Sequence, residues 1–219
     1  VRGDPMFMDA EKGDFRLQPD SPAVDVLTGS LDADGTAGDL GAFPLVQDLP
    51  PLPPAGEGIV TRINCGSREP HTDRQGLTWE ADRNRGSNPK LGEWAPGWAR
   101  MVTRDPRPID GAEDPTIYLT ERYGDLRYHF NYPAGRYTVR LHFAETWHDS
   151  PGERVFSVLA NGLQVVEALD VVETGGGPNA AVVREFEVPV FSKGLILNWV
   201  SIEDAPIVNG IEIIQVTQN

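Results

Sequence analysis

The sequence predicts an all-β chain whose larger part is a β-sandwich. Three observations carry this expectation. Beyond residue 58, apolar residues recur at every second position in short runs, the period of a strand with one buried face. The chain holds 23 glycines and 19 prolines, and they fall between those runs, as turns joining many short strands require. No stretch after residue 58 shows helical periodicity of useful length.

Residues 1–45 hold only brief apolar runs between turn signals: Phe15 to Leu17, Ala23 to Leu27 and Leu40 to Phe43. A piece this short buries too little to stand alone, so it is expected to pack on something else. Residues 46–57 contain Pro50, Pro51, Pro53 and Pro54, which fix φ and remove four backbone donors. They predict an extended, semi-rigid linker. The charge balance changes across it, for only Arg2, Lys12 and Arg16 are basic before residue 58.

Residues 58–219 are the expected sandwich. Tyr137, Val139, Leu141 and Phe143 alternate with Thr138, Arg140 and His142. Val155–Ala160 and Leu163–Val166 flank Asn161-Gly162, a hairpin signal because both residues tolerate positive φ. Val182–Val188 alternates again, and Leu195–Ile202 and Ile207–Val216 complete the set. Short strands at this spacing predict two packed antiparallel sheets.

Composition narrows the function classes. No run of eighteen apolar residues is present, so no membrane-spanning helix is expected. A net charge of −14 argues against nucleic acid, since phosphates would go unneutralised. Cys65 is the single cysteine; it excludes a disulfide framework and a cysteine-based zinc fold and reads as an inert core thiol. The chain opens at Val1 with no signal peptide, so a fragment or processed product is expected.

Catalytic signatures are sparse. There is no Gly-x-Ser-x-Gly, no phosphate loop and no His-x-x-x-His. Glu145, Asp149 and Glu153 gather around one strand end, and a glycosidase would need two such carboxyls facing each other across a cleft. Loop carboxylates are also ordinary in an acidic protein. Asp32, Asp34 and Asp39 offer oxygen ligands of the kind Ca²⁺ takes, or simply an acidic turn; no other cofactor is expected. Aromatic placement is more informative. Trp79, Trp94, Trp98, Tyr123, Trp147 and His148 fall in loops or at strand ends rather than in the alternating apolar faces. Such rings either cap a core or wait for a partner. A sugar ring has an apolar C–H face for an aromatic and hydroxyls for a carboxylate, so exposed aromatics with a nearby Asp read as a carbohydrate site.

The motifs then carry a resemblance. Ile63-Asn64-Cys65-Gly66-Ser67 is followed by Tyr118-Leu119-Thr120-Glu121-Arg122-Tyr123-Gly124, by Gly135 through Phe143-Ala144-Glu145, by Arg154-Val155-Phe156-Ser157-Val158, by Asn161-Gly162, and by Val208-Asn209-Gly210-Ile211-Glu212-Ile213. This order and spacing resembles malectin and the malectin-like carbohydrate-binding modules across residues 58–216. The resemblance implies a galactose-binding-like β-sandwich that binds glucose-containing oligosaccharides without catalysis. It places the sugar-contacting residues at Tyr123, at Trp147 and His148 (where the family has a Tyr-Phe pair) and at Asp204. Trp94 or Trp98 would stand in for an upstream Tyr that this sequence lacks. Glu145 would either hold loops or touch sugar.

A second resemblance covers residues 1–45. Asp4-Pro5-Met6-Phe7-Met8-Asp9, Gly13-Asp14-Phe15-Arg16-Leu17, Ser21-Pro22-Ala23-Val24-Asp25 and Gly38-Asp39-Leu40-Gly41-Ala42-Phe43 are similar to the closing segment of right-handed parallel β-helix, pectate-lyase-like proteins. It implies the last coil of a solenoid whose body, with any active site of a glycoside hydrolase or polysaccharide lyase, is absent from this sequence. Together the resemblances imply a module that targets such a protein to oligo- or polysaccharide, in a secreted, periplasmic or cell-surface setting. The alternative expectation is a structural sandwich packed on the β-helix, with no sugar bound.

Overall fold

The computed structural model describes residues 59–82, 99–190 and 194–216 and, before them, four short strands. The expected linker at 46–57, together with Trp94, Trp98, Asp32, Asp34 and Asp39, lies outside the described residues. Strand β1 (Phe7–Asp9) pairs with β2 (Asp14–Leu17), and β3 (Leu27–Leu31) with β4 (Ala37–Gly38). Both pairs are local and antiparallel.

The main body contains β5 (Val60–Asn64), β6 (His71–Thr72), β7 (Thr78–Ala81), β8 (Ala99–Thr103), β9 (Thr120–Gly124), β10 (Arg127–Phe130), β11 (Gly135–Phe143), β12 (Val155–Ala160), β13 (Leu163–Asp170), β14 (Val182–Val190), β15 (Leu195–Glu203), β16 (Ile207–Val208) and β17 (Gly210–Gln215). They form a six-stranded sheet in the order β14-β11-β17-β5-β7-β6, a four-stranded sheet β10-β15-β12-β13 and a small sheet β16-β9-β8. The all-β sandwich expected from the alternation is thus present.

The turn between β12 and β13 is built by Asn161 at φ 50° and Gly162 at φ 86°, the left-handed pair that matches strand twist in a two-residue hairpin. Along β11, burial alternates strictly, with Tyr137, Val139, Leu141 and Phe143 inside.

The structure departs from the sequence-based expectation in two places. The sandwich is not wholly antiparallel, because β5 and β7 pair in parallel through Ile63↔Glu80 and Asn64↔Ala81. The single strand expected over Ile207–Val216 is split at Asn209, whose N–H donates to His142 O at 2.9 Å and whose side chain bonds the Tyr118, Thr120 and Ala144 backbone. The described residues hold little helix, as expected: a 3-10 turn at Thr116–Tyr118 and the five-residue α1 (Val171–Gly175), where Asp170 accepts from the Glu173 N–H as N-cap and Gly176 closes it at φ 76°.

Between the two large sheets lies one apolar core. Phe130, Tyr137, Phe143 and Phe156 are fully buried within it, and each such side chain contributes roughly 1.5–3 kcal/mol through water exclusion. Tyr128, Phe130, Tyr132 and Tyr137 form a stacked column with successive centroids 6.2, 5.5 and 5.2 Å apart. At one end of the six-stranded sheet β14 is an edge strand. It carries Pro189 and the charged Arg184, Glu185 and Glu187, and Arg136 and Arg140 of β11 pair with Glu187 and Glu185 across the exposed face.

A buried polar cluster joins β5, β7 and β9. The Asp82 carboxylate accepts from Gly66 N at 2.8 Å, from Arg122 Nε at 2.5 Å and from Tyr128 OH at 3.2 Å. Gly66 sits at φ 78°, and a Cβ there would lie 2.1 Å from Glu121 O. Gly66→Ala should therefore cost about 3 kcal/mol or more; a urea midpoint equal to that of the parent would contradict this placement. Cys65 beside it is fully buried, and burial first, then the Asp82 charge, pushes its thiol pKa well above 9.0. A thiol reagent should modify Cys65 only as fast as the chain unfolds; modification within the mixing time under native conditions would contradict this.

Candidate functional site

Three separated pieces of chain meet at one end of the sandwich: Tyr123 on β9, the loop 144–148 after β11, and Asp204 in the turn after β15. The meeting point is the Asp204 carboxylate. Its Oδ1 accepts from Tyr123 OH at 3.4 Å. Its Oδ2 lies 2.9 Å from His148 Nε2 and 3.2 Å from Arg154 Nη2. Asp204 adopts φ 48°, a left-handed conformation that Asp tolerates better than most residues. Ser201 Oγ donates to its backbone carbonyl.

Arg154 lies beneath. Its side chain is 3% exposed, and Nε is 3.0 Å from Oε2 of the equally buried Glu145. That contact is an ion pair without hydrogen-bond alignment, and Arg154 Nη1 has no hydrogen-bond partner among the described residues. The guanidinium carbon sits 5.2 Å from the Tyr123 ring centroid, within cation–π range. Glu145 uses its other oxygen to accept from Trp147 N at 2.9 Å and His148 N at 3.0 Å. It therefore fixes the loop that presents the two rings, and with 1% exposure it is closed to solvent. Of the three carboxylates considered for glycosidase chemistry, Glu145 is committed to Arg154 and the loop. Glu153 accepts from the Asp149 and Ser150 N–H groups.

Trp147 is 67% exposed. The Arg104 guanidinium backs its ring at 5.3 Å. Arg104 is in turn held by Glu121 at 2.6 Å. Burial raises the Glu121 pKa, and the Arg104 charge and hydrogen bond counter only part of that rise. The result is an exposed indole, a half-buried phenol and imidazole, and a carboxylate whose orientation is fixed by three donors.

Tyr123 and His148 thus both contact Asp204, with Trp147 the chain neighbour of His148. Trp79 differs from the expectation of a loop aromatic. It is 5% exposed on β7 and packs edge-on to His142. The sequence reading missed Arg154, Arg104 and Glu121. A signal existed for Arg154: it shares parity with the inward Phe156 and Val158, so the strand pattern already points it into the core. Glu145 stands in the same relation to Leu141 and Phe143.

The chain is thus a two-sheet β-sandwich whose end loops present an exposed indole beside an oriented carboxylate. The malectin domain family matches residues 59–218, and the chain belongs to that family. Family membership makes it a carbohydrate-binding or extracellular-sensing module. The chain is 28% identical over 143 residues to Malectin-A of Xenopus laevis, covering 62% of this chain and 49% of the relative. It spans about half the length of that curated relative. Among solved structures, Bacteroides uniformis β-glucuronidase matches with TM-score 0.63 at 22% identity, over 72% of this chain and 18% of that one. The ANXUR2 extracellular domain of Arabidopsis thaliana matches with TM-score 0.62 at 19% identity, over 72% and 49%. These two likenesses concern the fold. Among the described residues no helix is long and apolar enough to cross a membrane.

The Asp204 geometry has a pH consequence. Partial burial tends to raise its pKa, but the His148 hydrogen bond, the Ala205 N–H and the Arg154 and His148 charges outweigh it and hold the carboxyl below 3.8. A depressed acid pKa means that the ionised form stabilises the fold above the unfolded value, and that this contribution is lost as pH falls through the folded value. Asp204→Asn should therefore lower the melting temperature at neutral pH, with the deficit closing below about pH 4. A deficit that is the same at pH 3 and pH 7 would refute this assignment.

Proposed function

We propose that this chain is a non-catalytic carbohydrate-binding module whose site is formed by Trp147, Tyr123, His148 and Asp204. The observation that carries the reading is the Asp204 carboxylate, oriented by Arg154, His148 and Tyr123 beside a two-thirds exposed indole. The indole offers a flat apolar face for the C–H side of a pyranose. The carboxylate accepts from hydroxyls, and a hydrogen bond to a charged group contributes about 1.5–3 kcal/mol net. A stacking contact contributes on the order of 0.5–1.5 kcal/mol, by analogy with aromatic pairs. After the cost of immobilising the ligand, dissociation constants of about micromolar to millimolar follow.

The ligand class is a neutral, glucose-containing or related glycan. The rim carries Asp204, Glu153 and Asp149, while the nearby Arg154 and Arg104 are turned inward to Glu145 and Glu121, so an acidic sugar would meet repulsion. Residues 1–45 suggest attachment to a parallel β-helix enzyme, for which this module would raise the local substrate concentration outside the cytoplasm. The motifs quoted from the N-terminal sequence support that part of the reading.

A glycan array probed with the full chain should show binding to neutral glucose- or galactose-containing oligosaccharides. Calorimetry on the best ligand should then show affinity lowered about tenfold by Trp147→Ala and about tenfold or more by Asp204→Asn, with melting still cooperative. Unchanged affinity in both variants would overturn this site assignment.

A further inference from the structure

A cavity of about 400 Å³ opens on the outer face of the six-stranded sheet, within the range of small-molecule pockets, about 300–1,000 Å³. Its floor follows from strand alternation: Arg140 and His142 of β11, Arg62 of β5 and Glu212 of β17 point away from the core that their neighbours fill. Arg62 Nε bonds Glu212 Oε2, and Arg140 Nη1 bonds Glu212 Oε1 at 2.8 Å, giving an Arg–Glu–Arg row.

The walls are built rather than incidental. Asp73 ties the 73–77 turn by accepting from Gln75 N, Leu77 N and Trp79 Nε1 at 2.9, 2.8 and 3.0 Å. Gln75 bonds Glu113 across the mouth, and His71 Nε2 meets Asp114 Oδ2 at 3.0 Å. The inner end consists of Trp79, Tyr118 and His142. Tyr118 OH and His142 Nδ1 are 3.0 Å apart, and Gly210 admits the Trp79 ring, for a Cβ there would lie 3.1 Å from Cζ3.

His142 lines the inner end, and its Nε2, itself buried, has no hydrogen-bond partner among the described residues. Burial chiefly, with Glu212 opposing and Arg140 assisting, holds this imidazole neutral with a pKa of about 4. Its free nitrogen is then a donor in one tautomer and an acceptor in the other. A hydroxyl serves either. The Arg–Glu–Arg row likewise presents donors on both sides of an acceptor, which suits adjacent hydroxyls. Asp73, Glu113, Asp114 and Glu212 offset Arg62, Arg74 and Arg140 along the lining, so the cavity has no excess positive charge for an anion. No metal-ligating cluster exists among the described residues.

We propose that this cavity is a second ligand site, taking one neutral, polyhydroxylated ring such as a single sugar residue. It is separate from the Trp147 site and stands whether or not that site binds glycan.

The test uses ¹⁵N-labelled full chain carrying Trp147→Ala and Asp204→Asn, which silences the first site. Methyl glucoside, methyl galactoside, maltose and cellobiose are titrated to tens of millimolar. The readouts are the Trp79 indole N–H, assigned through Trp79→Phe, and the His142 ring. At least one sugar should shift both signals saturably. Adding Arg140→Gln, at a half-exposed position where Arg62 remains as a partner for Glu212, or Tyr118→Phe should weaken that binding about fivefold. Signals that stay fixed with all four sugars would overturn the proposal, as would shifts that neither substitution weakens. In the parent chain, shifts confined to Trp147 and Tyr123 would sustain the first site and reject the second; shifts confined to Trp79 and His142 would do the reverse.

Discussion

The buried guanidinium of Arg154 is the constraint on which the end of this sandwich depends. Removing such a charge from water costs several kcal/mol unless it is paired. Here the pairing comes from two distant pieces of chain, Glu145 after β11 and Asp204 after β15. Neither loop can drift without leaving a charge alone in the interior. The same pairing that secures the fold therefore fixes the surface carboxylate before any ligand arrives, which lowers the ordering cost of recognition.

Arg154 has company. Arg122 pairs with Asp82 at 3% exposure on both sides, and Arg104 with the nearly closed Glu121. Three buried acid–arginine pairs thus occupy the region where β9 and the loops approach the sheets. Their net contribution to stability is small, because desolvation offsets attraction, but breaking one partner is costly. Such pairs suit a place where regular strand pairing runs out and loops need fixed partners. Asn209 acts similarly with neutral groups, its amide replacing ladder bonds where the strand breaks.

The fold was legible wherever a local period decided it. The strict alternation of β11 and the Asn161-Gly162 turn appear in the structure as the sequence indicates. The parallel β5–β7 pair was not legible, since pairing partners are chosen by long-range packing and leave no mark on either strand's own pattern. The break at Asn209 was marked in the sequence by Asn209-Gly210, the same dipeptide as at 161–162, but the apolar residues on both sides read as one strand, and it is the hydrogen bonds of the Asn209 amide that show the interruption. At the site, Tyr123, Trp147, His148 and Asp204 were visible as polar or aromatic residues out of step with the core. The residues that orient them were hidden for the opposite reason: Arg154 and Glu145 are in step with the core, where apolar side chains are the rule.

The edge strand β14 has a consequence for the molecule among its own kind. An unpaired strand edge offers its backbone to any other extended chain. Here Pro189 interrupts the row of donors, and Arg184, Glu185 and Glu187 place charges of both signs along the same strand. A second copy sliding in would lose hydrogen bonds at the proline and strip water from ions without a fixed register to restore them. Among the described residues the sheet therefore ends at β14 by chemistry, and copies of the chain brought close together are kept from fusing into a shared sheet.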